Sequence, residues 1–268
     1  MQNSKQKFSE RGIALAAVSY DSEAILRDFS TRHGIAFPLL ADPDSQIISE
    51  YGVLDDGAKG FTKGMAHPGY FYVTPDGKVS EEFFESAYTD RYTGNNIILK
   101  LFPDLVEGSG RQVAAPHFGL SLSQSDRLVI PGSRITVAAE ITLPSGTHVY
   151  APGVSGYKPI QLVLDPSPDL KLSDVRYPKP VTLYLPAIKE SVPVFEGRFQ
   201  IRQDVVVSSD GAFVKSIGGG KKVTLKGILK YQACDKTKCF LPQEVELSWD
   251  IQVGALDLER APAAIQHK

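Results

Sequence analysis

The chain has 268 residues, 42% of them hydrophobic and 22% charged, with a formal net charge of -2 and two cysteines. That length allows one large domain or two ordinary ones, and the composition is that of a globular chain rather than a disordered one. The charge, with no dense Lys/Arg run beyond Gly220-Lys221-Lys222, excludes a general polyanion binder such as a nucleic-acid protein, and no window reaches the roughly 18 apolar residues of a membrane span, so no membrane insertion is expected.

Phe8 to Gly12 reads as the end of a helix. Ile13 to Ser19 is a near-continuous apolar run of strand length, suited to a strand buried on both faces of a sheet. Asp21-Ser22 offers an N-cap for a helix with Ile25, Leu26 and Phe29 on one face and Gly34 just past its end. Phe37 to Leu40 is a short strand, Asp42-Pro43-Asp44 a turn, and Gln46 to Tyr51 a helix closed by Gly52. Gly69 to Val73 and Lys78 to Phe84 flank Thr74-Pro75-Asp76-Gly77, a strong hairpin signal. Arg91 to Phe102 reads as a final helix with Ile97, Ile98 and Leu101 facing inward. Strand, helix, strand, helix, hairpin, helix is an α/β order.

Three stretches of this half, Ala17 to Ser22, Phe37 to Asp44 and His67 to Gly77, together resemble the back half of a peroxiredoxin-like (AhpC/TSA, redoxin) domain of the thioredoxin fold. The resemblance covers residues 1–102. It implies a cis proline beside an active site, which falls on Pro68, so a cis His67-Pro68 bond is predicted and a trans bond counts against the likeness. His67 itself could act as a base, but a His ahead of a turn proline is more often a surface or structural residue. In that family the peroxidatic or CxxC cysteine lies on the first strand and helix, whereas residues 1–230 contain no cysteine. This half is therefore not expected to do thiol chemistry by itself. Either the domain is partial here or it is a non-catalytic scaffold; the partial reading is preferred because Ser4 to Arg11 looks like the tail of a longer helix and the Ile13 strand lacks its neighbour in sequence.

Pro103 to Pro116, with Glu107-Gly108-Ser109-Gly110-Arg111, reads as a linker (103–116). Beyond it come short strands at Phe118 to Ser123, Ile135 to Leu143, Ile160 to Leu164, Val192 to Ile201 and Val205 to Ser208. Most of the 18 prolines lie here too, which disfavours helices and suits the edges and turns of a β-sandwich over 117–257. Gly218-Gly219-Gly220-Lys221 lacks P-loop spacing and a following helix, so it reads as a hairpin turn. Residues 258–268 read as a loose tail.

Chemistry concentrates in Tyr231 to Glu244, which holds Cys234 and Cys239. Val223, Leu225, Leu229 and Tyr231 alternate with polar residues before them, and Val245, Leu247, Trp249, Ile251 and Val253 alternate after them, a hairpin pattern turning at Asp235-Lys236-Thr237-Lys238. Cys234 and Cys239 then close the loop as opposed residues, with Cα atoms about 4.5 to 5.5 Å apart, close to what a disulfide wants. Continuing that register sets Leu229 against Glu244, core against surface, so a bulge or break is predicted between Phe240 and Gln243, where Pro242 has no ladder donor. Three readings stay open. A staple closing so short a loop gives only about 2 kcal/mol; a reactive dithiol is favoured by Lys236 and Lys238 and opposed by Asp235; a metal site is half built without further ligands.

Cys, short charged turn, Cys and downstream Pro resemble the active-site hairpin of the N-terminal (alpha) domain of DsbD, a bacterial membrane thiol:disulfide interchange protein. Thr147 to Gly153, Gly156-Tyr157 and Val194 to Phe199 extend the likeness. It departs in spacing, since the best-known member has one more residue between its cysteines. The resemblance implies an immunoglobulin-like sandwich whose Cys234/Cys239 dithiol passes electrons between a membrane reductase or thioredoxin-like protein and extracytoplasmic partners, with the redox-active disulfide as its only cofactor. An extracytoplasmic home clashes with Met1 to Lys5, which leads into no signal-peptide core. A short loop caps the cysteines in that family; by position Tyr184, Leu185 and Ile188 are the candidates, with Tyr157 nearby, although ordinary sandwich packing explains Tyr157, Tyr184 and Leu185 equally well. The whole then reads as α/β plus all-β, a partial thioredoxin-like domain followed by an immunoglobulin-like sandwich. Its function is thiol-disulfide exchange or, alternatively, docking of a redox partner by a module with a permanent disulfide.

Overall fold

The computed structural model describes residues 1–103, 105, 110–185 and 189–266. They form two compact units, Met1–Phe102 with Leu256–Lys268, and Pro103–Ala255. The first contains α1 (Lys5–Ser9), β1 (Ala17–Ser19), α2 (Glu23–His33), β2 (Leu39–Ala41), α3 (Gln46–Glu50), β3 (Gly69–Val73), β4 (Val79–Phe84), β5 (Arg91–Tyr92) and α4 (Gly94–Leu101). Its helix ends follow local chemistry. The Ser22 side chain accepts from the Ile25 amide at the start of α2, Gly34 closes it in the left-handed region at φ 59°, and the Asp42 carboxylate accepts from the amides of Gln46 and Ile48 at the start of α3. Phe8, Leu26, Ile48, Phe83, Ile97, Ile98 and Leu99 are buried.

Four expectations for this unit are corrected. Only Ala17–Ser19 of the apolar run from Ile13 is strand, and it is not buried on both faces: among the described residues β1 pairs only with β2, in parallel, and Val18 is 44% and Leu40 50% exposed. The last helix starts at Gly94, because Arg91–Tyr92 is extended and Thr93 is its N-cap, accepting from the Asn96 amide. Its buried face includes Leu99 rather than Leu101, which is half-buried. The His67-Pro68 bond is trans. The His67 amide donates to Val53 O at 2.7 Å and Ala66 bridges Leu54, so the chain enters β3 extended, which the intrinsically preferred trans isomer accommodates. The described residues of the segment read as a tail, 258–266, have no helix or strand, and Leu256–Lys268, including Asp257 of the expected sandwich, groups with this unit, where Asp257 meets His33 at 3.1 Å and Glu259 meets Arg32 at 3.4 Å.

The second unit contains β6 (Arg111–Val113), β7 (Gly119–Gln124), β8 (Leu128–Val129), β9 (Ser133–Thr142), β10 (His148–Tyr150), β11 (Gln161–Leu164), β12 (Leu170–Arg176), β13 (Val181–Leu185), β14 (Glu190–Glu196), β15 (Arg198–Val207), α5 (Gly211–Ile217), β16 (Lys221–Tyr231), β17 (Ala233–Cys234) and β18 (Gln243–Val253). One sheet runs β12-β15-β9-β7-β6, a second β11-β16-β18-β8, and a third β13-β14-β10-β17. Alternation along β16 and β18 buries Val223, Leu225, Leu229 and Tyr231 with Val245, Leu247, Trp249, Ile251 and Val253 in a core shared with Ile135, Val137, Ala139 and Ile141 of β9. Trp249 Nε1 donates to Ser123 O at 2.9 Å, tying β18 to β7.

Several features depart from the sequence reading. Arg111–Val113, inside the stretch read as a linker (103–116), is strand β6 and pairs with β7. Val192 to Ile201 is not one strand: Gly197, at φ 63°, breaks it between β14 and β15, which belong to different sheets. The triglycine is not a hairpin turn. It ends α5, whose start is capped by Asp210 Oδ1 accepting from the amides of Ala212 and Phe213, and leads into β16.

Candidate functional site

Cys234 and Cys239 are bonded to each other, with Cα atoms 3.9 Å apart. Asp235 N donates to Lys238 O and Phe240 N to Ala233 O, both at 2.9 Å. Those two bonds flank the cysteines on either side, making them a non-hydrogen-bonded antiparallel pair, the geometry in which side chains lie closest. The predicted break is present. Phe240 still answers Ala233, but Tyr231 pairs with Gln243 and Leu229 with Val245, one residue out of the tip register. Gln232 thus faces both Leu241 and Pro242, and its side-chain amide donates to Phe240 O at 2.8 Å. Beyond this bulge the chain changes sheets: Ala233 pairs with Val149 and Cys234 with His148 on β10.

The turn is fixed by Asp235. Its Oδ1 accepts from the Thr237 hydroxyl and amide, both at 2.7 Å, and from the Lys238 amide at 2.9 Å. These bonds, the Thr237 hydroxyl foremost, lower the Asp235 carboxyl to about 2. Cys234 is 1% exposed, whereas Cys239 is exposed. The buried sulfur lies in a cluster with Tyr150, Val192 and Val194, against which Val154, Tyr157, Leu183 and Leu185 pack. The Tyr150 hydroxyl lies 3.9 Å from Cys239 Sγ, and its ring stacks on Tyr157 with centroids 4.2 Å apart. Tyr157 in turn donates to Glu190 Oε2 at 2.8 Å, and that bond pushes its hydroxyl up to about 12.

The structure therefore brings Tyr157 and Leu185 to the cysteines. Tyr184, next along β13, is 57% exposed and outside that cluster, and Ile188 lies outside the described residues. Pro68 and His67 belong to the other unit, where His67 Nε2 stands 4.0 Å from Asp55 Oδ1 and neither residue accompanies a cysteine. Sequence reasoning missed two neighbours, Tyr150 and His148, as well as Glu190, which accepts from Tyr157. The alternation in Thr147-His148-Val149-Tyr150 marks a short strand with His148 and Tyr150 on one face, but nothing local says that this strand borders Cys234. Among the described residues no helix is long and apolar enough to cross a membrane.

Two separate stretches of the chain match known families. Residues 1–82 match the model of the AhpC/TSA family, and residues 121–249 match that of the thiol:disulfide interchange protein DsbD, N-terminal. The 1-Cys peroxiredoxin B of Oryza sativa subsp. indica and that of subsp. japonica are each 26% identical over 148 residues, 52% of this chain; the chain spans only 65% of the length of these relatives. Among solved structures, the Neisseria meningitidis DsbD N-terminal domain in the reduced form is 16% identical, covering 42% of this chain and 74% of its own, with a TM-score of 0.29. The N-terminal periplasmic domain of ScsB from Proteus mirabilis is 13% identical, covering 59% and 55%, with a TM-score of 0.35. The AhpC/TSA match stands although the His67-Pro68 bond is trans. The chain thus joins a thioredoxin-like segment that matches the AhpC/TSA family to an immunoglobulin-like β-sandwich that matches the DsbD N-terminal family.

Proposed function

We propose that this chain performs thiol-disulfide exchange through Cys234 and Cys239, as a relay that takes electrons from one protein dithiol and hands them to another. The observation that carries the reading is the asymmetry of the pair, a buried Cys234 bonded to an exposed Cys239 at a rigid turn. A partner's thiolate attacks Cys239 Sγ, the accessible sulfur, forming a mixed disulfide and releasing Cys234 as thiolate. The partner's second thiolate then attacks its own sulfur in the mixed disulfide and frees Cys239. Lys236 and Lys238 in the turn favour the thiolates, while the fixed Asp235 carboxylate opposes them. Residues 1–230 contain no cysteine, so the AhpC/TSA-type segment is not a thiol catalyst within this chain and acts beside the relay.

A redox titration of the pair tests the reading. A potential between about -180 and -270 mV supports exchange, whereas one below about -300 mV identifies a permanent bond and favours the docking module instead. In the exchange case, a variant lacking Cys234 accumulates a mixed disulfide with its partner through Cys239.

A further inference from the structure

We infer that His148 is a positioning residue of the dithiol: once the disulfide opens, its imidazole takes up the Cys234 sulfur as a hydrogen-bond partner and so stabilises the reduced state. The inference rests on the exchange reading above. Three observations carry it. First, His148 is the direct antiparallel partner of Cys234 between β10 and β17, a pairing that puts the two side chains on one face with Cβ atoms roughly 5 Å apart. Second, the imidazole meets the ring of Tyr150 edge-on at 5.4 Å, and the Tyr150 hydroxyl reaches Cys239 Sγ, so His148 stands on the sulfur side of its strand. Third, His148 is 5% exposed, and its Nε2 is buried with no hydrogen-bond partner among the described residues.

An orphaned buried nitrogen destabilises whichever state contains it. Here the oxidised state is the one that contains it, because a disulfide sulfur is a poor partner and a thiol or thiolate is a good one. Burial lowers the imidazole's pKa, opposed by Glu196, its partner across β14, and by Asp235, which follows Cys234. Burial thus favours the neutral ring in the disulfide form. Tyr150 on its own strand also faces it, and Cys234 becomes titratable once the disulfide opens.

The exchange balances as follows. As the partner's thiolate bonds to Cys239 Sγ, the Cys234–Cys239 bond breaks and its electron pair stays on Cys234 Sγ. The imidazole N–H donates to that thiolate, which then takes one proton from water through the ring. When the partner closes its own disulfide, Cys239 leaves as a thiolate and takes the second proton. The chain gains two electrons and two protons, and the partner loses the same.

The test equilibrates the full chain with glutathione buffers from pH 5 to 8 and measures the reduced fraction by thiol alkylation, for wild type, His148→Phe and His148→Gln. His148→Phe is expected to lower the equilibrium constant for reduction about fivefold, the worth of a neutral hydrogen bond to the Cys234 thiol, or about 20 mV. His148→Gln, whose amide reaches the position of Nε2, recovers most of that loss. Wild type shows a bend in the pH dependence of the constant below about pH 6.5, and both variants lack it. Equal constants and a retained bend in the variants overturn the role of His148 while leaving the exchange reading intact. A wild-type disulfide that no glutathione buffer reduces overturns the exchange reading, and this inference with it. Should His148→Phe fail to fold, His148→Gln decides alone: loss of the bend supports the role and its retention refutes it.

Discussion

A relay must be folded in both redox states, which makes a quantitative prediction for the reduced chain. The disulfide joins residues five apart in sequence, and in the chain-entropy model closing so short a loop contributes about 2 kcal/mol. The hairpin tip does not depend on it for position. Asp235 N to Lys238 O, Phe240 N to Ala233 O and three bonds to Asp235 Oδ1 hold the turn, and the pairing of Ala233 and Cys234 with β10 holds the strand. Reduction is therefore expected to lower the melting temperature of the second unit by about 4 to 8 °C, taking about 2 to 4 °C per kcal/mol for a domain of this size. The assay is built in: Trp249 is the sole tryptophan and is 3% exposed in the core of that unit, so its fluorescence reports this melt alone. A reduced chain whose Trp249 signal is already that of unfolded protein at 25 °C would refute the reasoning and make the bond a staple.

Tyr150→Phe removes the hydroxyl 3.9 Å from Cys239 Sγ while keeping the ring, and is expected to slow reduction by dithiothreitol about fivefold, the worth of one neutral hydrogen bond; equal stopped-flow rates count against a role for that hydroxyl. Asp235 has its carboxyl lowered from 3.8 to about 2, chiefly by the Thr237 hydroxyl, so its contribution to stability is complete above about pH 4 and is lost as pH falls through about 2. Melts of oxidised wild type against Asp235→Asn between pH 1.5 and 5 should therefore converge at the acid end, and parallel curves refute the assignment. Gly227→Ala places a Cβ 2.6 Å from Val163 O where β11 pairs with β16, and overpacking there is expected to cost about 1 to 3 kcal/mol in urea unfolding. An unchanged midpoint means that the β11 edge yields freely.

Local chemistry made much of this legible. The Ser22 and Gly34 caps, the Thr74 to Gly77 turn and the strict alternation of β16 and β18 each follow from residues a few positions apart. Even the break before Gln243 could be read, since core positions had to face core positions. What failed was nonlocal or compositional. The apolar run at Ile13 suggested a buried strand, but burial depends on neighbours that β1, among the described residues, lacks beyond β2. A proline-rich half suggested no helix, yet Asp210 caps α5 with a side-chain bond that needs only three residues. The site shell divides in the same way: the cysteines identify themselves, whereas His148 and Tyr150 reach them only through a strand pairing some 85 residues distant in sequence.

The inequality of the two sulfurs comes from one extra residue. Had the tip register continued down the ribbon, Ala233 and Cys234 would have extended β16 within its own sheet, and the cysteines would have closed a straight hairpin. Instead Leu241 and Pro242 together face Gln232, and a bulge of this kind bends the strand and increases its twist. Pro242 removes the one amide donor that could have restored the ladder there. The bent strand pairs with β10, which places Cys234 under Tyr150 and opposite His148. Cys239 pairs with Cys234 alone and stays on the exposed side. On the exchange reading, a thiolate arriving from solution finds Cys239 exposed and expels Cys234 into its buried cluster, so the direction of bond cleavage is set by backbone register before any side-chain chemistry begins.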